Sequence, residues 1–378
     1  MQNRQQVFIG SNAIVDFKQL LQEWHPKKIL LFRDKKSFDL CGAKLIVDNL
    51  AKELKFKVIE FFDFSENPKF EDMERGLSFL SRINIDFIIA VGGGSVLDMA
   101  KLIRFFFSYS GDFRNSEFTK EKELIPLIAL PTTAGTGSEA THFAVLYKEK
   151  LKYSVAHKDM LPNVAVVYPP FTYSTPKYLT ASTGFDALAQ AIEAYWNINA
   201  TPESDEYSIK AIKLLWSYLL DTVIAPSDNA KNKIAEGAYW AGRAINITKT
   251  TAPHAISYAF TSYYGFSHGH AVALTFPFFA EYNTNIPVSE YKGIIPLEKY
   301  RNKMEWLFFE LNVRKEEGIC NTIKSYIQKL GLSFCLPDNF DRNIIIKNIN
   351  IQRVQNNPRL ITEDILNKIV DSLLVVDK

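Results

Sequence analysis

Cysteine is scarce and scattered. Cys41, Cys320 and Cys335 give an odd count with no close pair, which excludes a disulfide framework and a zinc-type cysteine cluster. Each is expected to be a reduced, buried, structural thiol. Long apolar runs are also missing: the longest, at 87–91 and 124–130, are strand-sized, far short of the roughly 20 residues that cross a bilayer as a helix. An excess of one charge is absent too. The 44 basic and 42 acidic residues leave a net +2, and no sustained basic run appears, which argues against nucleic acid and acidic membrane surfaces as partners. Residues 1–6 lack the apolar stretch of a secretory leader, so a cytoplasmic location is expected. Neither an internal repeat nor a low-complexity segment is evident.

What is present is an ordinary globular composition, 47% hydrophobic and 23% charged, over 378 residues, a length that suits two domains. The first half alternates buried strand runs at 28–32, 56–62 and 86–91 with helical stretches at 42–54 and 75–82. That is the signature of a parallel sheet covered on both faces. Short strands follow at 124–130, 143–148 and 151–156, the last two flanking the charged turn Lys148, Glu149, Lys150 and reading as a hairpin. From Thr180 onward helical periodicity dominates, at 185–196, 204–219, 229–246 and 300–309,. Pro169, Pro170 and Pro176 punctuate the change, placing a boundary near residue 175. An α/β nucleotide-binding domain over 1–175 and a helical domain over 176–378 are expected, with a cleft between them as the default small-molecule site.

Two loops carry nucleotide chemistry. Gly92, Gly93 and Gly94, followed by Ser95, Asp98 and Lys101, stand where a strand gives way to a helix. Glycines admit a phosphate close to the backbone, and the first N–H groups of the helix point at it; the bland alternative is a plain strand-to-helix turn. The second loop, 131–141, offers Thr132, Thr133, Thr136 and Ser138, small hydroxyl residues able to cup a ribose or a nicotinamide, or to form an unremarkable polar loop. At the end of the first strand run, Asp34 suits ribose hydroxyls and so NAD. Its neighbours Arg33, Lys35, Lys36 and Ser37 would instead suit the 2′-phosphate of NADP. The lean is slightly towards NAD.

In the second half, Asp186 and Gln190 lie four residues apart on one helix face,. His254 opens a further helical pattern, and His268 follows fourteen residues later; of six histidines, three fall between 254 and 270.

The glycine motif with Asp98 and Lys101, the 131–141 loop, Pro162, Pro176, the run Thr183 to Leu188, and His268 with Gly269 together resemble the iron-containing (group III) alcohol dehydrogenases. The likeness extends over about residues 5–280. It implies a Rossmann-like α/β domain followed by an all-α metal domain, the architecture shared with glycerol dehydrogenases and dehydroquinate synthases. It also implies NAD(P)(H) and one divalent metal. By that resemblance Asp186, His254 and His268 fall on three metal-ligand positions, while Gln190 stands where the family usually has His. Gln190 is then either a weaker fourth ligand or the mark of a lost site. Two oxygens and two imidazole nitrogens suit Fe(II), Mn(II) or Zn(II), with Fe(II) or Zn(II) expected. Tyr258 replaces another frequent family His. His270 has two readings, as a proton-exchanging catalytic group or as a packed structural one.

The stretches 194–204, 242–254 and 264–270 resemble the phosphonoacetaldehyde reductase branch, which implies reduction of that aldehyde to 2-hydroxyethylphosphonate. Arg243, Lys249 and Thr250 are the expected grip on the dianionic head group, although either cation could equally serve a helix end. Competing expectations are a general short-chain alcohol dehydrogenase, a lyase related to dehydroquinate synthase, and a metal-poor non-catalytic NAD-binding relative. A homodimer is the family-level expectation.

Overall fold

The computed structural model describes residues 5–374 other than 116, 150 and 350, and not the side chain of 352. The residues on which the leader argument chiefly rests, 1–4, and Lys150 of the hairpin turn lie outside the described residues. The chain forms two compact units, Met1–Thr175 and Pro176–Lys378.

The first unit is built on a six-stranded, wholly parallel sheet in the order Gln6–Ile9, Val164–Val167, Leu127–Pro131, Phe87–Gly92, Lys28–Arg33, Lys57–Phe61. Alternation along each strand explains why the runs read as continuously apolar. Ile29, Leu31, Ile89, Val91, Ile128 and Leu130 face one core, against helices Ala13–Trp24 and Ala43–Leu54. Leu30, Phe32, Ile88, Ala90, Leu127 and Ala129 face the other, against helices Phe70–Leu80 and Gly94–Ser108. Burying each large side chain contributes roughly 1.5–3 kcal/mol, so both faces must be apolar.

Two sheet strands were not expected. Val164–Val167 is only four residues long yet pairs on both sides, with Gln6–Ile9 and with Leu127–Pro131. Its neighbours supply the hydrogen bonds that so short a run cannot announce. The hairpin of Phe143–Lys148 and Leu151–Ala156 forms as expected, and a second one, Tyr109–Asp112 with Glu117–Lys120, adds to it. One expectation is corrected: Cys41 and Cys320 are only half-buried and Cys335 is exposed, because each lies at an element end or in a connection rather than on a packed face.

The second unit is helical. The helix Lys177–Trp196 is buried almost throughout from Ala181 onward and packs against Pro202–Ile224, Asp228–Thr248 and His268–Tyr282. Gly184 allows the close approach of Leu219: a Cβ there would meet its side chain at 2.2 Å. Helices Ala252–Tyr264, Leu297–Glu310, Gly318–Lys329 and Glu363–Leu373 and the short segments Arg342–Lys347 and Ile351–Val354 complete it. No helix among the described residues is long and apolar enough to cross a membrane.

Candidate functional site

In the first unit the predicted nucleotide residues gather at the end of strand Phe87–Gly92. The Thr132 N–H donates to the Gly92 carbonyl (3.0 Å), and the Thr132 hydroxyl lies 3.5 Å from that of Ser37, tying the Asp34 loop to the glycine loop. The three glycines differ in what they permit. A Cβ at Gly92 would meet Val96 at 2.4 Å and one at Gly94 would meet Thr136 at 2.7 Å, whereas one at Gly93 would find nothing closer than Thr133 at 3.6 Å. The protein's own packing therefore accounts for Gly92 and Gly94. At Gly93, which caps the helix Gly94–Ser108, a Cβ would meet Thr133 only at ordinary van der Waals distance, so packing does not demand a glycine there, at a helix N-terminus where an anion is favoured.

Other residues of this set are occupied. Asp34 accepts the Lys36 and Ser37 N–H groups (2.7 and 2.5 Å) and the Ser37 hydroxyl, while Ser95 accepts the Asn67 N–H (3.1 Å). Asp98 accepts the Ser138 hydroxyl (2.5 Å) and the Val145 N–H (2.8 Å). Lys101, fully buried, donates to Ser138 (2.9 Å), Thr141 (3.0 Å) and the Phe143 carbonyl (2.8 Å). Asp98 and Ser138 thus brace the loop from behind. Arg33 pairs with Glu60 through Nε and Nη2 (2.9 and 2.6 Å) and lies over the Phe62 ring, so its charge is already answered.

In the second unit three separate helices converge. Among the described residues, one ligand atom each from Asp186, His254 and His268 lie within 4.8 Å of one another. His254 Nε2 is 3.1 Å and His268 Nε2 3.9 Å from Asp186 Oδ1. Gly269 makes this possible: a Cβ there would stand 1.8 Å from the Ser182 carbonyl oxygen and 2.9 Å from Asp186 Cβ, so only glycine lets the two helices touch beside His268. Gln190 donates Nε2–H to Asp186 Oδ2 (3.1 Å). Its Oε1, buried in a residue 4% exposed, has no hydrogen-bond partner. A buried acceptor left unmet costs free energy, and a cation between these groups would satisfy it.

Glu193 was not anticipated. It lies one turn beyond Gln190 on the same helix, fully buried. It accepts the N–H and hydroxyl of Thr251 (2.5 and 2.8 Å) and the Nδ1–H of His254. This fixes the His254 ring with Nε2 towards Asp186, the arrangement by which a carboxylate orients a ligating histidine. Burial opposes a charge on His254, but the carboxylates of Glu193 and Asp186 prevail and push its pKa up to about 9. The spacing from Asp186 was visible in the sequence, but its partner is 61 residues away.

The remaining predicted residues divide. His270 is close in sequence, yet both ring nitrogens are engaged: Nε2–H donates to the Ser333 carbonyl (2.6 Å), leaving Nδ1 to accept from Tyr178 (3.0 Å). Burial lowers its pKa. Of its two readings, packing is the one these contacts fit. Arg243 faces helix Pro202–Ile224, donating to the Tyr207 and Tyr239 hydroxyls (3.1 and 3.3 Å) with its guanidinium over the Tyr207 ring, because Tyr239 lies one turn back on its own helix and Tyr207 on the neighbouring one. Thr250 accepts from Arg353 (2.9 Å), and Lys249 precedes it at a positive φ of 61°. Tyr258 stacks on His268, centroids 5.7 Å apart.

Known proteins match the chain along both of its units. A family model described as iron-containing alcohol dehydrogenase matches residues 4–169, and one for the C-terminal part of the Fe-containing alcohol dehydrogenase family matches 180–372. The chain is 37% identical to long-chain-alcohol dehydrogenase 1 of Geobacillus thermodenitrificans over 246 residues, spanning 63% of this chain and 62% of that protein. It is 31% identical to the NAD-dependent methanol dehydrogenase of Bacillus methanolicus, over 73% of each. The structure of sulfoacetaldehyde reductase from Bifidobacterium kashiwanohense in complex with NAD+ superimposes with a TM-score of 0.83 at 28% identity, covering 98% of this chain and 96% of that one. The chain belongs to the iron-containing alcohol dehydrogenase family and is, like these relatives, an oxidoreductase.

Proposed function

We propose that the chain is an NAD-linked reductase of small aldehydes that carry an oxyanion head, with phosphonoacetaldehyde, reduced to 2-hydroxyethylphosphonate, as the specific candidate. The observation that carries the catalytic reading is the group of buried Asp186 and His254 and half-buried His268, with the orphaned Gln190 oxygen. These donors fit a divalent metal, Fe(II) or Zn(II), Gln190 supplying the fourth ligand. Bound there, the metal supplies Lewis-acid polarisation of a carbonyl or alcohol oxygen. The chain's own work is to hold and orient: Glu193 fixes His254, and Gly269 seats His268.

In the first unit Gly93 and Ser95 would hold the cofactor's pyrophosphate, with Thr133 and Thr136 beside them. The pairing of Arg33 with Glu60 removes one cation that a 2′-phosphate would use, which supports NAD over NADP. The charged head group is supported by the likeness to a sulfoacetaldehyde reductase. A second reading, a general alcohol dehydrogenase, draws on the 37% identity to a long-chain-alcohol dehydrogenase. The deciding measurement is kcat/KM for phosphonoacetaldehyde, sulfoacetaldehyde, acetaldehyde and butyraldehyde, each with NADH and NADPH. A site built around an anion should favour the charged aldehydes by at least about tenfold, since its donors are left unmet by neutral ones. Equal or better turnover of butyraldehyde establishes the general reading instead.

A further inference from the structure

The loop joining helices Asp228–Thr248 and Ala252–Tyr264 is held from three sides. The Lys249 carbonyl accepts from Asn197 Nδ2 (3.2 Å) and from the Thr248 hydroxyl (2.7 Å). The Thr250 carbonyl accepts from Asn356 Nδ2 (2.9 Å), and the Thr251 N–H goes to Glu193 (2.5 Å). Lys249 adopts its positive φ without being glycine, a conformation that persists only where surroundings over-determine it and that clusters at functional sites.

Onto this loop comes a residue from far along the chain. Arg353, in the short segment Ile351–Val354, is 9% exposed and donates Nη1–H to the Thr250 hydroxyl at 2.9 Å. Lys249 is exposed overall, yet partial desolvation and then the Arg353 charge push its pKa down. Half-buried Tyr258, one turn after His254, lays its ring against His268, 15° from parallel. Two cations therefore meet at this loop, Lys249 within it and Arg353 held on Thr250, four residues before the candidate metal ligand His254. Like charges in a partly desolvated place repel, and an oxyanion between them turns that repulsion into attraction. A guanidinium also presents the planar fork that matches phosphonate and sulfonate oxygens.

We propose that Arg353, together with Lys249, forms the subsite for the oxyanion head of the substrate, Thr250 holding the guanidinium in place and Arg243 taking no part. This rests on the anionic-aldehyde reading above and names the residues that would enforce it.

The test compares the wild-type enzyme with Arg353→Gln, Arg353→Lys, Lys249→Met and Arg243→Gln. Two quantities are read: the ratio of kcat/KM for sulfoacetaldehyde over acetaldehyde, and binding of methylphosphonate by calorimetry. We expect Arg353→Gln to lower the ratio and to weaken methylphosphonate by at least about tenfold, as loss of a charge-assisted fork should. Lys249→Met, on an exposed side chain, should lower both less, and Arg353→Lys should recover part of the loss. Wild-type preference for the charged aldehyde that survives Arg353→Gln and Lys249→Met, or that is lost in Arg243→Gln instead, overturns the subsite while leaving the substrate reading intact. A wild-type enzyme with no such preference and no methylphosphonate binding overturns both.

Discussion

Each unit buries a cluster of charges on a helix that a sequence motif announces, and the two clusters are balanced differently. In the first, Lys101 has three oxygen acceptors, Asp98 accepts from a hydroxyl and a backbone N–H, and the ammonium and carboxylate are 3.7 Å apart. Burial pushes Lys101 down to about 8 and Glu139 up to about 7, but each donor and acceptor of Asp98 and Lys101 named here is met within the chain. In the second, Asp186 and Glu193 share one histidine between them, and the buried Gln190 oxygen has no hydrogen-bond partner. A closed network braces a fold; the one that needs a borrowed proton and leaves an acceptor unmet is where we propose that the metal binds.

Three measurements sharpen this contrast. The largest effect is expected at the open cluster. Asp186→Ala and His268→Ala should abolish metal retention, read by elemental analysis, and lower kcat/KM by about three orders of magnitude or more, since the Lewis acid is lost. Full metal content in either folded variant would remove these residues from the ligand set.

The closed cluster should respond in stability instead. Lys101→Met leaves the Asp98 carboxylate and the Ser138 and Thr141 hydroxyls short of a donor. Denaturant unfolding should show a loss of roughly 3 kcal/mol, with metal per chain unchanged. A variant of wild-type stability would mean that the network is not a brace.

The smallest effect concerns pH. Metal must take the lone pair of His254 Nε2, which in the metal-free protein carries a proton up to about pH 9, against an ordinary value near 6.5. Zn(II) affinity should therefore weaken by about tenfold per unit as pH falls below that value, and level off above it. The same shift makes the His254 proton stabilise the metal-free fold, fully so below pH 6.5 and no longer once pH rises through about 9,. Affinity independent of pH between 6.5 and 8.5 would contradict the shared-proton description.

Sequence alone determined a good deal: the parallel sheet from apolar runs such as 86–91, the helical second half, and the Asp186 and Gln190 pair from its four-residue spacing. These are local patterns, since side-chain direction repeats every second residue in a strand and every third or fourth in a helix. Tertiary structure decided the rest. Val164–Val167 is a sheet strand because its neighbours complete its hydrogen bonds. Glu193 matters because the His254 ring arrives against it, and His270 and Arg243 turn towards packing because Ser333, Tyr178 and Tyr207 lie within reach. Arg353 carries no motif and meets Thr250 across 103 residues. Which partner a polar side chain finds depends on distances between elements, and no periodicity along one element encodes them.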